Sequence, residues 1–277
     1  SIIFSGLLLG YLSFFGIETK SFNKLIQDKL SKSDDRIQVK LDKVKILLNL
    51  SSLSINVKAS DVDLLYENKK IELENISTNF SLVAFIKKEF GIKNASIESK
   101  DNNLKDIINF IRIYKNSAQL IIFEKMLKTG IINAQIKLNF NEDGKIQKNY
   151  EVKGSVKSGE IRLLNKDILS NISFNFDIKK DLYSIKKSKI QYKGINFLSK
   201  NIKIIPAKVS TQQLSITGDI SHKTFKINSE HLSIFLKEGP ENLKNIELSS
   251  NNNFSILLKK NKIKSYKVDS VIKLNSV

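Results

Sequence analysis

The sequence predicts a mainly β protein: a long antiparallel, curled β-sheet forming a groove, with an N-terminal transmembrane helix and a few short helices. Three observations predict it. Apolar and polar residues alternate with period two through most of the chain from Arg36 onward. The first 17 residues, SIIFSGLLLGYLSFFGI, carry no charged side chain. Helical spacing is confined to a few short stretches, too few to cover the apolar faces that so many strands create.

Ser1–Ile17 reads as a membrane anchor, at the short end of the roughly 17–25 residues that cross a hydrocarbon core of about 30 Å. A cleaved signal peptide is the alternative, but no basic n-region is in view and Ser13-Phe14-Phe15-Gly16 is a poor cleavage site. Gly6 and Gly10 have the G-x-x-x-G spacing that brings two spanning helices close, a weak motif in so short a run. Residues 18–35 follow as an amphipathic helix or linker. There Phe22, Leu25, Ile26 and Leu30 fall at helical spacing among Lys20, Lys24, Lys29 and Lys32. The opening Ser and the strand-like ending at Leu274-Asn275-Ser276-Val277 suggest a piece of a longer protein.

Residues 36–277 read as one β-groove domain with a helical insertion near 102–129. Val44, Ile46 and Leu48 alternate with Lys45 and Leu47, and Leu53, Ile55 and Val57 with Ser54, Asn56 and Lys58. The pattern recurs over 134–140, 172–178, 214–216, 225–227 and 254–258. Asn141-Glu142-Asp143-Gly144 marks a turn, and such short connections favour antiparallel meanders. Ser81 caps a short helix through Leu82, Val83, Phe85 and Ile86 that ends near Gly91. Leu104, Ile107, Ile108 and Ile111 show i, i+3, i+4, i+7 spacing. Another helix should run from Ser117 through Leu120, Phe123 and Leu127, with Gly130 just past its end.

Fifteen or so short strands, each about 4.8 Å from the next, would make a ribbon about 70 Å long. Curling it across its width gives a gutter with an apolar floor, a shape that suits acyl chains. The expected floor residues are Ile46, Ile55, Val57, Ile136, Leu138, Phe174, Phe176, Ile216, Phe225, Ile227, Ile256 and Leu258. The same alternation would equally suit an ordinary sheet core.

Composition removes several chemistries. There is no Cys, and with only His222 and His231 a multi-histidine metal site is nearly excluded. The net charge is +18, yet all but three of the 46 basic residues are Lys, and Arg36, Arg112 and Arg162 lie far apart. Dispersed lysine without clustered arginine disfavours nucleic acid and reads first as coding bias, with Lys solvating exposed faces; attraction to anionic lipid headgroups is a second, functional reading. No nucleotide-binding, nucleophile-elbow or zinc-protease motif occurs. Asp219, Ser221, His222, Glu230 and His231 lie close in sequence, but isolated polar residues in alternating strands normally face water, so no catalytic residue is expected. Asp34-Asp35 reads as a turn or solvent-facing pair. Asp61 and Asp63 would share a strand face, an unspecific weak cation site at most.

The order of features resembles the AsmA-like family of bridge-like lipid-transfer proteins. After the anchor and amphipathic helix, VKLDKVKILLNLSSLSINVKASDVDLLYENKKIELENISTNF (39–80) resembles its opening strand series. SLVAFIKKEFGIKNASIE (81–98) is similar to its short helix followed by a strand. FEKMLKTGIINAQIKLNFNEDGKIQKNYEVKGSVKSGEIRL (123–163) resembles its helix-glycine-strand block, and SITGDISHKTFKINSEHLSI (215–234) one of its glycine-punctuated strand pairs. The resemblance implies a single-pass anchor in a bacterial inner membrane, the bulk of the chain in the periplasm, and phospholipid movement toward the outer membrane. The implied partners are phospholipid or another acyl lipid, the inner membrane, and outer-membrane or envelope proteins. No cofactor and no catalytic residue is implied. Lys20, Lys24 and Lys29 after the anchor would by themselves favour a cytoplasmic remainder, so the topology rests on the resemblance. Two alternatives remain: a lipopolysaccharide-export-like bridge component, and a non-transporting envelope assembly factor with a closed β core.

Overall fold

The computed structural model describes residues 2–20, 37–66, 69–87, 91–163, 165–206, 213–227, 246–259 and 262–276. Among them, 14 strands form one antiparallel sheet whose spatial order follows the chain, except that β6 (Asn102–Asn103) pairs β7 off the main path. The chain divides into two compact units, Ser1–Ser117 with Ile132–Gly154, and Ala118–Ile131 with Ser155–Val277.

In the first unit, helix α1 (Ile2–Phe14) has 13 residues, about 20 Å at 1.5 Å per residue. The expected 17-residue helix is therefore too long. Gly16 takes φ +72°, and a Cβ there would strike the Ile46 carbonyl and the Leu47 side chain. Ile17 then enters strand β1 (Ile17–Thr19) opposite Ile46 of β2 (Ile37–Asn49). No helix among the described residues is long and apolar enough to cross a membrane. Of the expected amphipathic helix, Glu18 and Thr19 belong to β1, and residues 21–36 lie outside the described residues.

Strands β2, β3 (Ser54–Tyr66), β4 (Lys69–Ser81), β5 (Ile92–Ser99) and β7 (Leu127–Asn139) follow side by side. Leu53, expected inside a strand, instead sits in the β2–β3 turn with φ +46° and is 52% exposed. The apolar phase also slips within each strand. Val39 and Leu41 face the core from odd positions of β2, whereas Val44 and Ile46 do so from even ones. The partner strand slips at the same level: Val62 opposes Leu41, Ala59 opposes Val44, and Asp61 between them takes φ +49°. The coordinated slip keeps one face apolar, because residues on both sides of it join a single buried cluster of Val39, Val44, Ala59, Val62, Ile71 and Leu73. Helix α2 (Leu82–Lys87) follows β4 directly; Ser81 Oγ accepts the Ala84 N–H at 3.4 Å, as its capping role requires. Helix α3 (Leu104–Tyr114) is capped by Asn103, whose side chain accepts the Lys105 N–H, and it lays Ile107 and Phe110 against the buried cluster.

In the second unit, helix α4 (Ala118–Met126) runs straight into β7. Gly130 is therefore not a helix stop: Leu127 is 2% exposed and already begins the strand in which Gly130 lies. The later strands are β8 (Glu151–Arg162), β9 (Ile168–Lys179), β10 (Leu182–Tyr192), β11 (Ile195–Ile205), β12 (Gln213–Ile227), β13 (Ile246–Lys259) and β14 (Lys262–Ser276). They are long, not short. The separate segments 214–216 and 225–227 are one strand, interrupted by a register shift between His222 and Phe225. One extra residue in β9 near Asn171 and one in β10 near Lys187 make bulges, and both residues have φ near +50°.

Candidate functional site

Directly opposed residues of an antiparallel sheet point to the same face, so the registers decide which expected floor residues lie together. In the first unit Ile46, Val57, Thr78, Ala95 and Leu138 form one cross-strand row. Val44, Ala59, Ile76, Ile97 and Ile136 form the next, and Ile55 opposes Leu48 and Phe80. Ile46, Ile55, Val57, Ile136 and Leu138 thus share a face. Part of that face is a closed core, since Ile46 and Val57 pack with the buried cluster that α3 joins.

The second unit differs. Phe176, Ile185, Ile202, Gly218, Phe254 and Val268 make one row across six strands, β9 to β14. Ile178, Tyr183, Ile204, Ile216, Ile256 and Tyr266 make a parallel row. Phe174 joins the face through its ring contact with Phe176, centroids 6.4 Å apart. Leu258 lies opposite Leu214. By backbone register Phe225 opposes Leu248, and Ile227 opposes Ile246. Phe174, Phe176, Ile216, Ile256 and Leu258 are half-buried, not buried, and at β14 exposure rises to 54% for Val268 and 74% for Tyr266.

Sequence reading missed Ile185, Ile202 and Phe254 because it had no register. The signal was present in the two-residue turn at Lys180-Asp181, which fixes β9 against β10 and so pairs Phe176 with Ile185.

The opposite face of the first unit is polar and cross-linked. Asn56 donates to Asn79 and Asn79 to Asn94, each at 2.8 Å, along one register row. Glu98 accepts from Asn75 at 2.6 Å and from Gln135, and lines a cleft with Lys100, Asp101, Asn133 and Lys153. The Asp61/Asp63 cation reading does not survive. Asp61 accepts from Lys100 at 2.7 Å, while Asp63 pairs with Lys70, which also bonds Glu72. The Lys100 hydrogen bond holds the Asp61 carboxyl below the usual carboxylate range, and Lys70 does the same for Glu72. Among the described residues no group of three or more His, Cys, Asp or Glu could hold a metal ion. Asp34 and Asp35 lie outside them.

The Asp219, Ser221 and His222 cluster has structural partners. Both Asp219 oxygens accept backbone N–H groups, from Lys200 at 2.9 Å and Asn201 at 3.0 Å. Ser221 donates to the Leu198 carbonyl at 3.4 Å, and the His222 ring lies edge-on to Phe197. Glu230 and His231 lie outside the described residues.

No family model, curated protein or solved structure matches this chain. The apolar face of β9–β14 is accordingly weighed on its own chemistry. Each large aliphatic or aromatic side chain gains roughly 1.5–3 kcal/mol on complete burial. The half-buried rows have realised only part of that, and a hydrocarbon chain laid across them would add about 0.8 kcal/mol per methylene it removes from water.

Proposed function

We propose that the chain is a membrane-anchored, envelope-facing β-groove protein that binds acyl chains and conducts phospholipid between inner and outer membranes. The observation that carries this reading is the pair of apolar rows across β9–β14, registered over six strands yet half-buried from β9 to β13 and exposed at β14. Helix α1, apolar on every side in sequence, is the segment assigned to the membrane. Acyl chains lie on the floor, and the dispersed lysines serve anionic headgroups at the rim. The protein acts by binding, without a catalytic step and without a cofactor. The resemblance to the AsmA-like family supports the topology and the lipid class.

Photocrosslinking amino acids at 176, 216 and 256, in protein purified with native lipid, test the proposal. Lipid adducts at all three positions, identified by mass spectrometry, are the expected result. Crosslinks confined to protein in a folded chain would replace the conduit by a closed-core assembly factor.

A further inference from the structure

In the first unit, α2, the start of β5 and the turn after β7 enclose a pocket of about 450 Å³. That volume falls within the roughly 300–1,000 Å³ typical of small-molecule sites. Its walls are apolar: Ala84 of α2, Ile92 of β5 and Phe140, just past β7, are each half-buried. Backbone bonds hold them in place. The Ser81 N–H donates to the Gly91 carbonyl at 2.7 Å, and the Phe140 N–H to the Lys93 carbonyl at 3.0 Å. A bridge between Phe140 and Ile146 secures the same wall from the other side. A cavity built in advance keeps the ordering cost of binding low.

Two ammonium groups stand at its rim. Lys87 ends α2, Lys93 follows Ile92, and both are exposed. Among the described residues neither has an ion-pair partner. The lysines of the polar cleft beside Glu98 differ, since Asp61 holds Lys100 at 2.7 Å and Glu151 holds Lys153 at 2.8 Å. Glu142 is the one carboxylate among the described residues that line the pocket, so the rim is net positive.

We propose that this pocket binds a single-chain anionic amphiphile, its hydrocarbon tail against Ala84, Ile92 and Phe140 and its carboxylate or phosphate head at Lys87 and Lys93. Apolar walls and a cationic rim suit the two ends of one molecule. A bare anion would leave the walls wet, and a neutral hydrocarbon would leave both ammonium groups without a counterpart. The site shares no residue with the β9–β14 rows and stands whether or not those rows carry lipid.

A photoreactive dodecanoate, with a diazirine near its methyl end, tests this on the purified 277-residue chain, below the micellar concentration of the probe. Adducts mapped by mass spectrometry should fall within 81–87, 91–93 and 140–142. Lys87→Glu combined with Lys93→Glu replaces attraction by repulsion and should cut labelling of those segments about tenfold or more. Dodecyl phosphate should compete; inorganic phosphate and dodecylammonium should not. Unchanged far-UV circular dichroism, expected at two exposed positions, separates lost binding from lost fold. Adducts confined to β9–β14 overturn this site and leave the proposed conduit standing. Labelling indifferent to the double variant, or competition by dodecylammonium equal to that by dodecyl phosphate, overturns it as well.

Discussion

Gly218 stands at the centre of the apolar face, where a methyl group would meet the Asn201 carbonyl, Ile202 Cγ1 and Phe254 Cζ, each at 3.0 Å. Two of those neighbours are side chains that can shift; the carbonyl is backbone, in a bulge of β11 where its register with β12 shifts between Leu198 and Ile202, and yields less readily. Gly218→Ala should therefore cost about 1–3 kcal/mol by overpacking, read from urea unfolding, and adding Phe254→Leu should return part of it. The adjacent Asp219 fixes that same bulge through its two backbone hydrogen bonds. Its sequence neighbourhood reads as solvent-facing, without catalysis; that its carboxylate holds the facing strand is not legible from proximity in sequence. Asp61 gives a pH test. Its carboxyl titrates below the ordinary range because Lys100 hydrogen-bonds the charged form. Lys100→Met should raise the Asp61 midpoint seen by carbon NMR. The pair's small contribution to stability is present above the unfolded pKa, about 4, and disappears as pH falls through the depressed folded value. An unchanged midpoint would show the contact is absent in solution.

At the scale of elements, alternation revealed strands but not their length or phase. A bulge inserts one residue and turns the period-two pattern over, so a long strand reads as two short ones. That is why β12 was legible only as 214–216 and 225–227. Residues that share an apolar face were legible wherever no slip intervened, as in Phe174 and Phe176. Helix α3 was legible from spacing alone, and its role as a cover over the first unit's sheet came from the structure. Ile108 is 4% exposed and Ile111 43%. Ile108→Ala should cost about 2–4 kcal/mol and Ile111→Ala less than about 0.5 kcal/mol, measured by chemical unfolding. Equal effects would mean that α3 does not pack as described.

For the whole molecule, the net charge of +18 is carried by dispersed lysines, so attraction to a membrane surface should be long-ranged and easily screened. The protein should bind vesicles containing phosphatidylglycerol at 10–20 mM salt, when the Debye length is about 20–30 Å, and release most of its electrostatic share near 0.5 M. Vesicle flotation measures both. Binding that survives high salt in full would assign the affinity to apolar insertion, α1 foremost.

The sequential strand order has a mechanical meaning. Strands along the main path have their chain neighbours, or near neighbours, beside them, so the sheet is held by local pairings whose strengths add approximately as in a repeat protein. Pulled from its C-terminal end in an optical trap, the chain would not yield in one event. The β13–β14 hairpin, residues 246–276, would unzip first and release about 100 Å of extended chain, with earlier hairpins following as separate steps. The same order run backward is an assembly line: each hairpin emerging from the ribosome finds its template already in place.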